Sequence, residues 1–405
     1  MFDIQKIRSD FPILSATVYG KPLVYFDSGA TAQKPQVVID TVNRLHTQQN
    51  ANIHRGVHYM SEACTAEYEN ARQSVASFIN AKSTREIVFT AGTTAAVNLV
   101  ASSFGDELVK EGDEIIATMM EHHSNFVPWQ MLCRRKNARF RVVEFDENGN
   151  LNVEQLKGFI NEKTRLIAVS HTSNALGTVN PISEIAKMAH ANDIPVLVDG
   201  AQSIVHSKID VQALDCDFFA FSGHKLYGPT GTGVLYAKEK WLDAMPPYQY
   251  GGDMVDTVTV ENTTFAELPL KFEAGTSNYI GAIGLGAAIG YLEGLGMENI
   301  QRYEQELLSL AHKLADKTDG MTVYGKAKNK AGILSFLLDG VHHYDTGMIL
   351  DKMGIAVRTG HLCAEPLMTH LGITGLVRAS FGLYNTKEEV EVLFEGIRKV
   401  QQMFG

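Results

Sequence analysis

Nowhere in this chain do the roughly 18 apolar residues of a membrane span run together. The first fifteen residues, MFDIQKIRSDFPILS, mix charges and lack the unbroken apolar stretch of a secretory signal. The expectation is a cytoplasmic protein with no membrane association. Cysteine is scarce: Cys64, Cys133, Cys216 and Cys363 lie far apart, with no C-x-x-C pair. That spacing argues against a disulfide framework or a structural zinc site and predicts reduced thiols, one of them open to reaction. Positive charge is in deficit, 36 Lys and Arg against 46 Asp and Glu, for a formal net charge of -10. A surface so charged is a poor partner for nucleic acid or anionic lipid, and the cluster Arg134-Arg135-Lys136 reads as a solvated helix face. Repeats, low-complexity tracts and Ser/Gly linkers are also missing.

What is present is an ordinary globular composition, 45% hydrophobic and 20% charged over 405 residues, enough for a large core and about two or three domains. Between about residues 85 and 236, short β-rich runs alternate with helical patterns: EIVFT, DEIIATMM, RFRVVEF, TRLIAVSH, IPVLVDG, DFFAFSG and GVLYA. Continuous apolar runs separated by helices predict an α/β fold with a mainly parallel sheet, the last pair open to an antiparallel arrangement across its glycine loop. Farther on, GILSFLLDG, a helix near 344–353, GIAVRTG, LVRASFGLYN and a closing helix from Lys387 predict a smaller α+β domain. The polar, Gly-flanked stretch 251–278 reads as an extended excursion from the larger domain.

Open α/β sheets bind ligands beyond the carboxyl ends of their strands. Here five such ends carry polar or small residues: Thr90–Thr94, Glu121–His123, His171–Asn174, Asp199–Gln202 and Ser222–Lys225. Lys225 follows the run Phe218-Phe219-Ala220-Phe221, where an ammonium loses hydration and its pKa falls. A lysine so placed can form a Schiff base with an aldehyde cofactor, although a lone lysine is more often an exposed loop residue. Asp199 ends the strand IPVLVD, and a cationic pyridinium would justify a carboxylate there, as in pyridoxal phosphate sites. Together the two residues favour the cofactor over a simple turn aspartate. TAGTTAAVNLV opens a helix as an ordinary N-cap or a phosphate site would, and Thr94, Ser222 and His224 can jointly hold a phosphate. His122 can stack on an aromatic ring or move a proton, and no carboxylate or cysteine at metal spacing accompanies it. Cys363 sits among Gly, His and Arg in VRTGHLCAEPLM, a setting that favours a thiolate. Arg378, in the apolar run LVRASFG, needs an anion, either a substrate carboxylate or a structural partner.

The motifs EHHSNFVPW, HTSNALGTVNPI, VDGAQS, SGHKLYGPTGTGVLY, FEAGTSN and RTGHLCAEPLM follow one another along the chain, and with YFDSGATAQKP and NIHRGVHYMSE they span essentially all of it. In them the chain resembles the cysteine desulfurases of the pyridoxal-phosphate fold-type I, class-V aminotransferase-like group, specifically the SufS branch. The resemblance implies a large cofactor-binding domain over 20–290, with a seven-stranded sheet flanked by helices. It implies a small domain from 1–19 and 291–405 that carries the Cys363 loop. The cofactor would be pyridoxal 5'-phosphate, with Lys225 as its Schiff-base lysine, Asp199 at the pyridine nitrogen, Gln202 at the ring hydroxyl and His122 stacked on the ring. Thr94, Ser222 and His224 would hold the phosphate, with Thr276 supplied by the other subunit of a homodimer. Asn174 and Arg378 would hold L-cysteine, which would yield L-alanine while Cys363 takes the sulfur as a persulfide. A SufE- or SufU-like acceptor would then carry that sulfur toward iron–sulfur cluster assembly. A selenocysteine lyase is the nearest alternative, since it needs the same cofactor but not Cys363; an aminotransferase or a non-enzymatic carrier scaffold stands behind it. Leu362 departs from the pattern, standing where SufS-like proteins commonly have a second histidine, and Ala95-Ala96 stand where some have Glu-Gly.

Overall fold

The computed structural model describes residues 3–404. Each of the seven β-rich runs becomes a strand of one sheet: β1 (Ile87–Thr90), β2 (Glu114–Thr118), β3 (Arg139–Val143), β4 (Thr164–Ser170), β5 (Val196–Asp199), β6 (Phe218–Ser222) and β7 (Gly233–Ala237). Their spatial order is β1-β7-β6-β5-β4-β2-β3. Pairings from β3 across to β6 are parallel, and β7 runs antiparallel to both β6 and β1.

The unbroken apolar character of these strands has a direct cause. Ile116, Ile167, Val198 and Phe219 point into one helix-covered core, whereas Ile115, Leu166, Leu197 and Phe218 point into the core on the opposite face. With both faces covered, neither set of alternate positions can be polar. Outside the edge strand β3, which carries Arg139 and Arg141, polarity therefore gathers toward the strand ends, and Ser170, Asp199 and Ser222 lie at the sheet's carboxyl edge.

A second, four-stranded antiparallel sheet takes the spatial order Met321–Tyr324, Ile333–Leu338, Leu376–Ser380, Arg358–Gly360. Leu334, Phe336, Val377 and Ala379 pack on the helices Met297–Ala315 and Lys387–Phe404. Alternation sends Leu376 and Arg378 to the other face of their strand, and Leu376 joins the core of the large sheet. The arginine in this apolar run is thus aimed at the junction of the two sheets. The N-terminal strand Val24–Tyr25 pairs in parallel with Ile355–Ala356, and Asp27 bridges to Ser380, tying the early chain to the small sheet.

The stretch 251–278 holds an exposed hairpin, Val255–Val258 with Thr263–Phe265, whose tip residue Val260 is 99% exposed. The helices Tyr279–Leu295 and Met297–Ala315 meet at a 76° bend, and Gly296 at the junction adopts φ +81. Among the described residues no single helix is long and apolar enough to cross a membrane. The Arg134–Lys136 cluster is the last turn of the helix Val127–Lys136, where Arg135 and Lys136 pair with Asp106.

Gly233 opens β7 against the turn that begins the helix Thr93–Leu108. A Cβ there would lie 2.4 Å from Gly92 Cα and 2.6 Å from Phe221 O, both backbone atoms unable to step aside. Gly233→Ala should therefore lower stability by roughly 1–3 kcal/mol or more, read as a lower urea midpoint, and it should displace that helix start. An unchanged midpoint would contradict the packing described.

Candidate active site

A single cavity of about 570 Å³ opens at the carboxyl ends of the large sheet, against the small sheet. Of the residues singled out in the sequence, it gathers Thr94, His122, Asn174, Asp199, Gln202, Ser222, His224, Lys225, Cys363 and Arg378. Thr276 is the exception. It is exposed and lines a separate cavity with Thr90, Ala95 and Asn278.

Lys225 follows β6 by three residues, and its neighbours dictate its chemistry. The amine faces the cavity but is walled by protein, and loss of hydration lowers its pKa to about 8 against the partial opposition of Asp199. Asp199 is buried at the end of β5, and burial raises its pKa. Its Oδ1 accepts only the Ala201 N–H, at 2.9 Å. The pair stands at adjacent strand ends, held by the parallel pairing of β5 and β6.

His122 is also dehydrated, its pKa lowered to about 3, so the ring is neutral at physiological pH. Its Nδ1 accepts the Ser124 N–H at 3.0 Å, leaving Nε2 as the protonated nitrogen. The turn that carries it rests on Glu121, a fully buried carboxyl whose pKa burial pushes up to about 8. Glu121 accepts from Thr118 Oγ1 (2.6 Å), Asn125 Nδ2 (2.7 Å) and Ser170 N (2.9 Å), joining the ends of β2 and β4 to the histidine turn.

The helix Thr93–Leu108 presents its N-terminus to the cavity through Gly92, whose φ of +145 only glycine tolerates readily. Ser222 Oγ bonds to Thr93 N and Thr93 Oγ1, both at 2.8 Å, and so caps this helix while lining the cavity. Thr94 Oγ1 pairs with Ser124 Oγ at 2.6 Å. Burial lowers the pKa of His224 to about 4. Its carbonyl accepts from Ala32 N, Thr31 Oγ1 and Lys34 Nζ, which fixes the backbone one residue before Lys225.

Cys363 is the one exposed thiol among the four, while Cys64, Cys133 and Cys216 are buried. Its loop is held against the large sheet: His123 N donates to Cys363 O (2.7 Å), Asn174 Nδ2 donates to Leu362 O (2.6 Å), and Glu365 N donates to His123 Nε2 (3.1 Å). Leu362 is buried in the apolar cluster with Leu367 and Met368, which is what its hydrophobic side chain requires, and so it does not face the thiol as a ligand or base. Leu362 and Cys363 both adopt left-handed backbone, φ +54 and +53.

Arg378 is 3% exposed, donates to Asn174 O at 2.9 Å and reaches Asp27 Oδ1 at 3.3 Å; its Nε has no partner among the described residues. Asn174 Oδ1 is likewise buried without a partner among the described residues. Its amide donor is engaged by Leu362 O, so what it offers a ligand is an acceptor. Gln202 Nε2 is similarly taken, by Gly29 O at 2.9 Å. Sequence reasoning placed Thr93 and His123 at polar strand ends without a role of their own, took Arg358 only as charge near Cys363, and passed over Asp27. An arginine five residues before Cys363 was the available signal for Arg358, while the others are revealed only by the folded contacts.

A dehydrated amine, a buried carboxylate without a cation bonded to it, a helix N-terminus and an unpartnered acceptor form one donor set. It matches an aldehyde, a pyridinium, a phosphate and a ring hydroxyl, so the residues present fit pyridoxal 5'-phosphate. The sheet and the site together define a fold-type I pyridoxal-phosphate protein. The family described as Aminotransferase class-V matches residues 24–393. A cysteine desulfurase of Escherichia coli (strain K12) is 49% identical over 406 aligned residues, covering 100% of both chains. The crystal structure of the cysteine desulfurase CsdA (S-sulfonic acid) from Escherichia coli superposes with a TM-score of 0.93, at 38% identity and 100% of both chains. A C-DES mutant with glycine covalently linked to the PLP cofactor gives 0.84 at 25% identity, covering 98% of this chain and 99% of that one. The chain belongs to the class-V aminotransferase family and, within it, to the cysteine desulfurases.

An amine with a pKa near 8 is mostly protonated at pH 7 and mostly free at pH 9. Capture of pyridoxal phosphate by cofactor-free protein should therefore accelerate with rising pH and level off above about 8, where an ordinary lysine would keep climbing toward 10.5. Stopped-flow absorbance across pH 6.5–10 reads this directly, and a rate still rising at pH 10 would refute the dehydration of Lys225.

Proposed function

We propose that this chain converts L-cysteine to L-alanine and takes the substrate sulfur onto Cys363 as a persulfide. The observation that carries the reading is that the exposed Cys363 and the dehydrated Lys225 line the same cavity. Pyridoxal 5'-phosphate, when bound, supplies a sink for the electrons released at the substrate α-carbon. Lys225, Asp199, Gln202 and His122 would hold its ring end, and Thr94, Ser222, His224 and the start of the helix Thr93–Leu108 would hold its phosphate. His122, being neutral, would meet the ring without placing a second positive charge beside Lys225.

Arg378 receives the substrate carboxylate, which adds a second anionic partner to a guanidinium that reaches Asp27 at only 3.3 Å. Asn174 orients the site through its free Oδ1 and holds the cysteine loop in place through its Nδ2. Lys225 Nζ takes the proton from the substrate α-carbon. Cys363 Sγ, as thiolate, forms a bond to the substrate sulfur while the carbon–sulfur bond breaks. The electron pair stays with carbon, which takes up a proton to become the methyl group of alanine. The proton lost by the Cys363 thiol balances that uptake, and Lys225 Nζ gives its proton back to the α-carbon, so alanine is complete and no external oxidant or reductant enters.

We also assign the persulfide to a SufE- or SufU-like acceptor protein and the sulfur to iron–sulfur cluster assembly, in the cytoplasm. A homodimer fits the position of Thr276: it is exposed beside Ala95, away from its own chain's Lys225 cavity, where a partner subunit's cofactor phosphate can meet it. In this arrangement 20–290 forms the cofactor-binding unit, and 1–19 with 291–405 the unit that delivers Cys363.

The test is Cys363→Ser, assayed for alanine release from L-cysteine. The variant should keep the cofactor's absorbance and lose turnover by at least about a hundredfold, the scale on which removing a covalent nucleophile acts. Retained turnover would overturn the persulfide route.

A further inference from the structure

Arg358 and Arg378 are direct partners across antiparallel strands of the small sheet, and both line the cavity. Two like charges in that register repel, and one of them, Arg378, is almost wholly buried. Asp27 resolves the conflict. Its Oδ2 accepts from Arg358 at 2.8 Å, and its Oδ1 accepts from Arg378 at 3.3 Å and from Arg358 Nε at 3.4 Å. Asp27 does not itself line the cavity and stands behind the two guanidinium groups. Its backbone is fixed as firmly as its side chain: Asp27 O accepts from Ala30 N and Thr31 N, and the residue bridges to Ser380.

Two guanidinium groups and one carboxylate leave one net positive charge at this end of the cavity. We propose that Asp27 is a specificity-determining residue: by cancelling one of the two arginine charges it matches the site to an amino acid with a single carboxylate and turns away one with an acidic side chain. The inference rests on the amino-acid substrate proposed above. Desolvation and distance strengthen the effect, because charges near a protein surface act through a dielectric well below that of water. Lys225 and Cys363 share the cavity, but neither is changed in the comparisons that follow.

The probes are L-aspartate and L-asparagine, nearly identical in shape and differing by one charge. Each is titrated into the holoenzyme, and its dissociation constant is read from the change in cofactor absorbance, a readout independent of turnover. Asp27→Asn leaves two net positive charges, so the affinity ratio should shift toward aspartate by about tenfold or more. Arg358→Gln leaves none and should shift it the opposite way; the Arg358 side chain is 49% exposed, so this variant is well placed to fold even if the first is not. The double variant restores one net charge and should return the ratio to that of the wild type. A ratio that stays constant across the variants, or a double variant that keeps the full shift of Asp27→Asn, would overturn the charge-matching role. Failure of the wild type to release alanine from cysteine would instead sink the desulfurase reading and leave these ratios standing or falling by themselves.

Discussion

The site depends on one electrostatic arrangement: an amine and a carboxylate, Lys225 and Asp199, withdrawn from bulk water at neighbouring strand ends. Each charge is costly there, and among the described residues neither has a direct ionic partner to compensate. Such groups stay in place only because the sheet leaves them no alternative. β5 and β6 pair in register from Leu197–Phe218 to Asp199–Ala220, with every side chain of both strands buried. The rigidity of the parallel sheet is thus what keeps a reactive amine poised rather than solvated.

Around that pair the structure repeats one tactic, fixing the backbone on either side of a functional group while leaving the group itself free. The His224 carbonyl is held by three donors just before Lys225. Glu121 clamps the turn before His122. The loop of Cys363 is fastened through carbonyls and an amide N–H, none of which involves the sulfur. These supporting contacts come from segments far apart in the chain, so the site exists only once both sheets are assembled.

That distinction also sets what could be read from the sequence. The seven strands were legible because burial on both faces writes itself as unbroken Val, Ile, Leu and Phe, and the polar residues that end those runs marked the crevice. The antiparallel β7 was foreshadowed by its short glycine loop. Most of the cavity lining followed from motifs that match a known family. The supports did not: Asp27 looks like any turn aspartate until Arg358 and Arg378 are placed opposite each other, and Ser222 gives no sign that it will cap the helix of Thr93. Asn174 was expected to hold substrate, and nothing in HTSNALGTVNPI reveals that its amide nitrogen fastens the Leu362 carbonyl. Leu362 stood out as a departure, and its burial beside Leu367 and Met368 gives it a packing role.

The left-handed backbone at Leu362 and Cys363 has a mechanical meaning. Two successive side-chain-bearing residues in that conformation each store about 1–2 kcal/mol of steric strain, comparable with the roughly 1 kcal/mol that each of the three fastening hydrogen bonds contributes. The docked loop therefore holds strain against its tethers, while the burial of Leu362 beside Leu367 and Met368 adds to the hold. Any excursion of the thiol would recover that strain as it broke the tethers, so strain offsets part of what undocking costs.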